Sequence, residues 1–208
     1  MPNNYNRIAK YYDFISRLVF QKSIVKAQAC LLKFIPANSV VLIAGGGTGW
    51  VLEELAKVHS QGLVITYVEI SSEMISLAQK RDCKQNETHF IHQPIENFII
   101  TRQYDVIMTP FLFDNFLKDK TEIVFAKLNT ALKSEGLWLF ADFVNEKGKG
   151  SSWQKFLLKT MYLFFRITVN IEAQKLIDME PFFTKGYNKI FEARFYSRFI
   201  KSVVYRKK

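Results

Sequence analysis

Apolar residues recur along the chain with two alternating periods. Residues 7–34 carry Ile8, Tyr11, Tyr12, Ile15, Leu18 and Val19 at helical spacing, which predicts a helix that Pro36 closes. Residues 39–44 (SVVLIA) then form a short β-branched run suited to a strand covered on both faces, and a glycine-rich turn and a helical run over 50–59 follow directly. The alternation continues with strands predicted at 63–70, 89–93, 104–109 and 137–143 and helices at 72–80 and 121–132. Strands that alternate with helices imply a doubly wound, mostly parallel sheet with right-handed crossovers. The expected fold class is therefore α/β and Rossmann-like. Residues 187–197 and 199–205 read as two adjacent extended runs, an antiparallel pair that completes a seven-stranded sheet at one side.

Ligands on such sheets bind beyond the C-terminal ends of the strands, so the loops after Ala44, Glu69, Gln93, Thr109 and Asp142 are expected to surround the site. The segment before the last strand pair differs in character. Residues 153–170 (WQKFLLKTMYLFFRITVN) predict an apolar helix with Lys155, Lys159 and Arg166 on one stripe, and residues 171–185 predict a second helix broken near Pro181. The chain reads as a single domain over 1–208, with a helical cap over 1–36 and a helical insertion or lid over 150–186.

Composition narrows the functional classes. With 49% hydrophobic and 23% charged residues among 208, the chain can bury a core, and two cysteines, Cys30 and Cys83, exclude a disulfide framework or a cysteine-built metal site. His59, His89 and His92 show no metal-ligand spacing, so no metal is expected. The basic excess is local: residues 1–144 hold 15 Lys and Arg against 14 Asp and Glu, whereas residues 145–208 hold 14 against 5. A surface that meets an anionic partner is expected in the last third, including weak contact with an anionic membrane. The N-terminus lacks a signal-peptide pattern and no apolar run reaches the ~20 residues of a membrane span, which sets the cytoplasm as the expected location.

The strongest local signal is Gly45-Gly46-Gly47-Thr48-Gly49 between a buried strand and a helix, where glycines let a ligand approach the backbone and a helix start offers free N–H groups. A dinucleotide fingerprint does not fit, because its nearest register places Ala44 at the first glycine, and a dehydrogenase is accordingly a distant alternative. The phosphate loop G-x-x-x-x-G-K-S/T is absent. What fits is G-x-G-x-G at Gly45, Gly47 and Gly49. At the end of the next strand, Glu69 presents two acceptor oxygens suited to a pair of vicinal hydroxyls.

In these features the chain resembles the class I S-adenosylmethionine-dependent methyltransferases. Val68-Glu69-Ile70-Ser71-Ser72-Glu73-Met74 is similar to that family's second motif, Tyr104-Asp105-Val106-Ile107-Met108 to its fourth strand, and Leu132 to Leu139 to the turn into its fifth. Ile8-Ala9-Lys10-Tyr11-Tyr12-Asp13 resembles the opening of the subgroup that contains quinone-biosynthesis enzymes. The resemblance implies S-adenosyl-L-methionine as cofactor, held by Gly45, Gly46, Gly47, Thr48, Gly49, Glu69, Ile70, Gln93, Pro94, Ile95 and Thr109. It also places Tyr12 over the cofactor, beside the alternative of a helix-core tyrosine. Two departures stand out. Ile43 occupies the place of an acidic residue that helps hold the methionine end, and Pro94 that of an Asp which receives the adenine amino group, a role open to Gln93.

No obligatory catalytic residue is expected, because the sulfonium donor is already activated and the protein has to bring the partners close, collinear and dry. Asp114 sits where a base could reach, although capping of the next helix or a solvent-facing position is the commoner role for such a residue. Thr109-Pro110-Phe111 departs from the N-P-P-Y of base-amine methyltransferases, and neither cysteine lies in a strand-end loop, which weighs against nucleic-acid substrates. Phe111, Leu112, Phe113 and Phe116, with Trp153, Phe156, Phe164 and Phe165, could wall an apolar pocket for a small acceptor, or each could be core. The leading expectation is a small-molecule methyltransferase. The alternatives are an RNA methyltransferase, motivated by the basic C-terminal third, and a cofactor-binding protein that has lost catalysis.

Overall fold

In a computed structural model of the chain, the residues described are Ala9, Phe20, 22–144 and 176–208. Their elements in chain order are α1 (Ser23–Leu32), β1 (Val40–Ala44), α2 (Trp50–Val58), β2 (Gln61–Glu69), α3 (Ser72–Ala78), β3 (Gln85–His92), β4 (Tyr104–Pro110), a 3₁₀ turn (Phe113–Asn115), α4 (Lys118–Ala131), β5 (Leu132–Phe143), α5 (Glu180–Thr184), β6 (Tyr187–Phe195) and β7 (Ile200–Lys207).

The seven strands form one sheet in the order β3-β2-β1-β4-β5-β7-β6. The first five run parallel, and β7 pairs antiparallel with both β5 and β6, so the expected mixed sheet with an antiparallel C-terminal pair is the observed one. The chain starts in the middle and winds outward in both directions, placing the switch point between β1 and β4.

The uninterrupted apolar run of β1 follows from its position. Val41 and Ile43 pack on one face with Leu52, Leu55, Tyr67 and Met108, while Leu42 and Ala44 pack on the other with Val68, Ile107, Leu112 and Phe113. Both faces are covered, as parallel sheets require. An aromatic group fills the second face beneath β5 and β7: Phe183 stacks on Tyr205 with centroids 4.0 Å apart and meets Trp138 edge-on at 5.2 Å.

Several boundaries differ from the sequence reading. β3 starts at Gln85 rather than 89, because an edge strand with one paired side tolerates the polar Gln85 to His89 stretch. β5 starts at Leu132 rather than 137, since the expected turn at 134–136 is a bulge inside the strand: Tyr104 pairs with Leu132 and Val106 with Leu137, and Glu135 takes φ +60°. α4 gains a polar first turn, Lys118-Asp119-Lys120. Pro181 lies in the first turn of α5 and so opens a helix instead of breaking one, and residues 176–179 are not helical. Within the expected 7–34 helix, residues 23–32 are helical. Tyr12, Trp153, Phe156, Phe164, Phe165, Lys155, Lys159 and Arg166 lie outside the described residues, as do 150–175 of the expected lid.

The basic C-terminal residues are more structured than solvated charges would be. Lys207 Nζ donates to the carbonyls of Asn129 and Leu132 at 2.6 and 2.8 Å. Lys201 is buried and bonds Glu180 at 2.5 Å, fastening α5 to the β6–β7 pair. Among the described residues no helix is long and apolar enough to cross a membrane.

Candidate active site

β1 ends at Ala44, and the chain reverses over Gly45–Gly49 into α2 with positive φ at Gly45 (+73°), Gly47 (+66°) and Gly49 (+78°). Such angles favour glycine, and space adds a second demand. A Cβ at Gly46 would lie 2.2 Å from the Tyr67 ring, one at Gly49 2.6 Å from Ala78, and one at Gly45 2.9 Å from Leu112. Among the described residues, only Gly47 of the four has open space, with Met74 Sδ the nearest described atom at 4.0 Å. Three of the four glycines are therefore explained by the protein's own packing, and Gly47 is the point of the turn open to a ligand.

Glu69 closes β2 beneath this turn. Its carboxylate is buried, and each oxygen accepts one backbone N–H: Oε2 from Gly47 and Oε1 from Ser71, both at 2.9 Å. A carboxylate oxygen holds two lone pairs, so each keeps acceptor capacity for a hydroxyl. Burial pushes the Glu69 carboxyl above its ordinary value, while the amides of Ser71 and Gly47 and the nearby His92 oppose that shift. Ser71 also caps α3, its Oγ accepting from the Met74 N–H at 3.2 Å.

The neighbouring strand end completes this side. His92 is the ladder partner of Glu69, and its Nε2 lies 3.0 Å from the Ile70 carbonyl. The Gln93 N–H donates to the Glu69 carbonyl at 3.1 Å. The Pro94 carbonyl is taken by the amides of Asn97 and Phe98, and Ile95 is buried. Glu69, Ile70, Gln93 and Pro94 thus lie together at the ends of β2 and β3.

Thr109 follows Met108, the ladder partner of Ile43, and so lies beside the end of β1. It is fully buried, and its hydroxyl accepts from Trp138 Nε1 at 2.9 Å, so the side chain serves the core. Ile43 is equally inaccessible, packed on the face opposite Ala44.

On the other side of the switch point, Phe111 takes φ +50° and its N–H donates to the Ala141 carbonyl at 2.7 Å. Leu112, Phe113 and Phe116 are buried in the core cluster, whereas Phe111 is half-buried against Phe143 at 4.9 Å. Asp142, at the end of β5, accepts from the amides of Phe113 (3.0 Å) and Phe143 (2.8 Å). Burial raises its carboxyl to about 7. Asp114 follows Phe113, caps no helix with its side chain and is bonded by Asn115 Nδ2 at 2.6 Å; burial and the charge of Asp142 push it well above the ordinary carboxylate range.

Sequence reasoning missed Tyr67 and Arg81, and marked Asp142 only as a strand end. The Tyr67 hydroxyl donates to the Gly47 carbonyl at 2.9 Å, and Arg81 Nε donates to the Thr48 carbonyl at 3.0 Å. Strand alternation puts residues 67 and 69 on one face, a signal that could have found Tyr67; nothing local marks Arg81.

A family model described as "Methyltransferase domain" matches residues 41–136, the span from β1 through the glycine turn and Glu69 to the bulge of β5. Over that span, just under half of the chain, the sequence is similar to methyltransferase domains. Solved structures repeat the fold of the chain. The mitomycin 7-O-methyltransferase MmcR is 14% identical with a TM-score of 0.68, covering 96% of this chain and 58% of that one. The chain thus spans less than two thirds of that relative. The N-methyltransferase NodS from Bradyrhizobium japonicum WM9, in complex with S-adenosylhomocysteine, is 13% identical with a TM-score of 0.67 over 90% of this chain and 87% of that one. The magnesium protoporphyrin IX methyltransferase from Synechocystis PCC 6803, with the same product bound, is 15% identical with a TM-score of 0.66 over 98% and 97%. None of the curated proteins matches the chain.

Proposed function

We propose that the chain transfers a methyl group from S-adenosylmethionine to a small, partly apolar acceptor. The observation that carries the cofactor side is the buried Glu69 carboxylate, held by the amides of Gly47 and Ser71 with a free acceptor position on each oxygen, directly below the one open glycine. That donor set fits a nucleoside with a ribose diol. Glu69 would take the two hydroxyls, Gly47 would let the ligand approach the backbone, and Ile70, Gln93 and Pro94 would line the base. When bound, the cofactor supplies a methyl group already activated on sulfur.

The chain's own work is then to position the acceptor and exclude water. Half-buried Phe111, at the mouth between β4 and β5, supports an acceptor with an apolar part. The relatives that methylate mitomycin and magnesium protoporphyrin IX support a small-molecule acceptor by analogy of fold.

Isothermal calorimetry with S-adenosylmethionine and S-adenosylhomocysteine tests the first half. Wild type is expected to bind both, and Glu69→Gln to bind about 10- to 100-fold more weakly, the loss of charge-assisted acceptance. Wild type failing to bind either nucleoside overturns the proposal. Transfer of labelled methyl to a panel of small hydroxyl- and amine-bearing aromatics, with RNA as the contrasting acceptor, tests the second half.

A further inference from the structure

Glu69 holds the N–H of Gly47, and Tyr67, two residues earlier on the same face of β2, holds its C=O. The turn is thus gripped at a single residue from both ends by one strand. Arg81, just beyond α3, holds the next carbonyl, that of Thr48, and is itself steadied by Glu53 at 3.4 Å. A trans peptide unit is planar with its C=O and N–H antiparallel. A Gly47 carbonyl drawn toward Tyr67 therefore turns the Thr48 N–H away from the core, and a Thr48 carbonyl drawn toward Arg81 turns the Gly49 N–H away from α3. Both N–H groups belong to buried residues at the start of α2, where donors and the helix dipole favour acceptors.

The ladder register adds a second observation. Tyr67 is the direct partner of Ile43, the β1 position where the chain has an apolar side chain at full burial. β1 therefore sends no polar group up under the turn from that position, and its neighbour on β2 does. The ring also occupies the space that a side chain at Gly46 would need, which leaves the hydroxyl little freedom to leave Gly47.

We propose that Tyr67 and Arg81 are positioning residues for the cofactor: they set the orientation of the peptide units 47–48 and 48–49 and thereby the donor face that the glycine turn presents. This rests on the cofactor reading given above. Tyr67→Phe keeps the ring and removes only the hydroxyl. Its affinity for S-adenosylhomocysteine, measured by calorimetry, is expected to fall roughly three- to tenfold, the worth of one neutral hydrogen bond. The KM for S-adenosylmethionine should rise by the same factor, with kcat at saturating cofactor unchanged. Arg81→Met should act in the same direction, and Arg81→Lys, which retains a donor, should recover part of the loss.

A purely structural role would lower the melting temperature and leave affinity and KM untouched. If wild type binds S-adenosylhomocysteine and both Tyr67→Phe and Arg81→Met bind it equally well, the positioning role is wrong while the cofactor reading stands. If wild type does not bind the nucleoside, both fall together.

Discussion

Gly46 offers the most direct test of how the turn is built, because its φ lies outside the left-handed region and an alanine there meets only a steric objection. The added Cβ would sit 2.2 Å from Tyr67 Cζ and 2.3 Å from both Cε2 and the hydroxyl oxygen. Ordinary carbon contacts are ~3.5–4.0 Å, so more than 1 Å of overlap has to be relieved. The ring has little room: it is fully buried, packs on Phe90 with centroids 5.4 Å apart and is tied to the Gly47 carbonyl. Overpacking of this kind costs roughly 1–3 kcal/mol, and displacement of the hydroxyl adds about 1 kcal/mol. For a domain of this size each kcal/mol moves the melting temperature by about 2–4 °C, so Gly46→Ala should melt roughly 5–15 °C below wild type. The decisive comparison is a double-mutant cycle with Tyr67→Leu, which removes the clashing atoms. In that background Gly46→Ala should cost less than about 1 kcal/mol. A Gly46→Ala protein that melts within a degree or so of wild type, or an equal penalty in both backgrounds, would refute the packing argument.

Three other substitutions probe separate features. Gly47→Ala has open space but φ +66°, so it should cost about 1–2 kcal/mol through backbone strain alone, with no relief from Tyr67→Leu in thermal melts. Thr109→Val strands the buried Trp138 N–H and should destabilise by roughly 1–3 kcal/mol while calorimetric affinity for S-adenosylhomocysteine is unchanged. Asp142 tests the pH dependence: its carboxyl is near 7 when folded against ~3.9 unfolded, so the folded state binds the extra proton between those values. Stability is then fully present below about pH 4 and falls as pH rises through 7, by on the order of a few kcal/mol. Asp114 shares this titration, so the two carboxyls respond as a pair. Asp142→Asn should flatten the decline in melting temperature between about pH 4 and 7; an unchanged slope would place the titration elsewhere.

The sequence made the central architecture legible because its signals are local. A β-branched run covered on both faces, a glycine turn and a helical run follow one another within residues 39–58, and each keeps its expected form. Glu69 could be singled out because a carboxylate at a strand end is close in sequence to the strand that positions it. What escaped depends on pairing between distant segments. The polar start of β3 makes sense only once it is known to be an edge, and the β5 bulge only against Tyr104 and Val106. Arg81 reaches Thr48 across 33 positions and Asp142 reaches Phe113 across 29, so neither contact leaves a local pattern. Leu112, Phe113 and Phe116 read equally well as core or pocket wall in the sequence, because the rings that meet Phe113, Trp138 and Phe140, lie more than 20 positions away.

The sheet order sets a timetable for assembly. β7 is synthesised after β6 yet lies between β6 and β5, so among the described strands β6 has no neighbour to join until the later one arrives. The parallel half, β1 to β5, contains all its own pairings and can form earlier, with the free edge of β5 waiting. Insertion of β7 then buries Lys201 and brings Tyr205 beneath Phe183 in one event. Maturation of the domain should therefore end in a slow, concerted closing step governed by the non-local β5–β7 contact, and a ribosome-held intermediate would expose the β5 edge that β7 later covers.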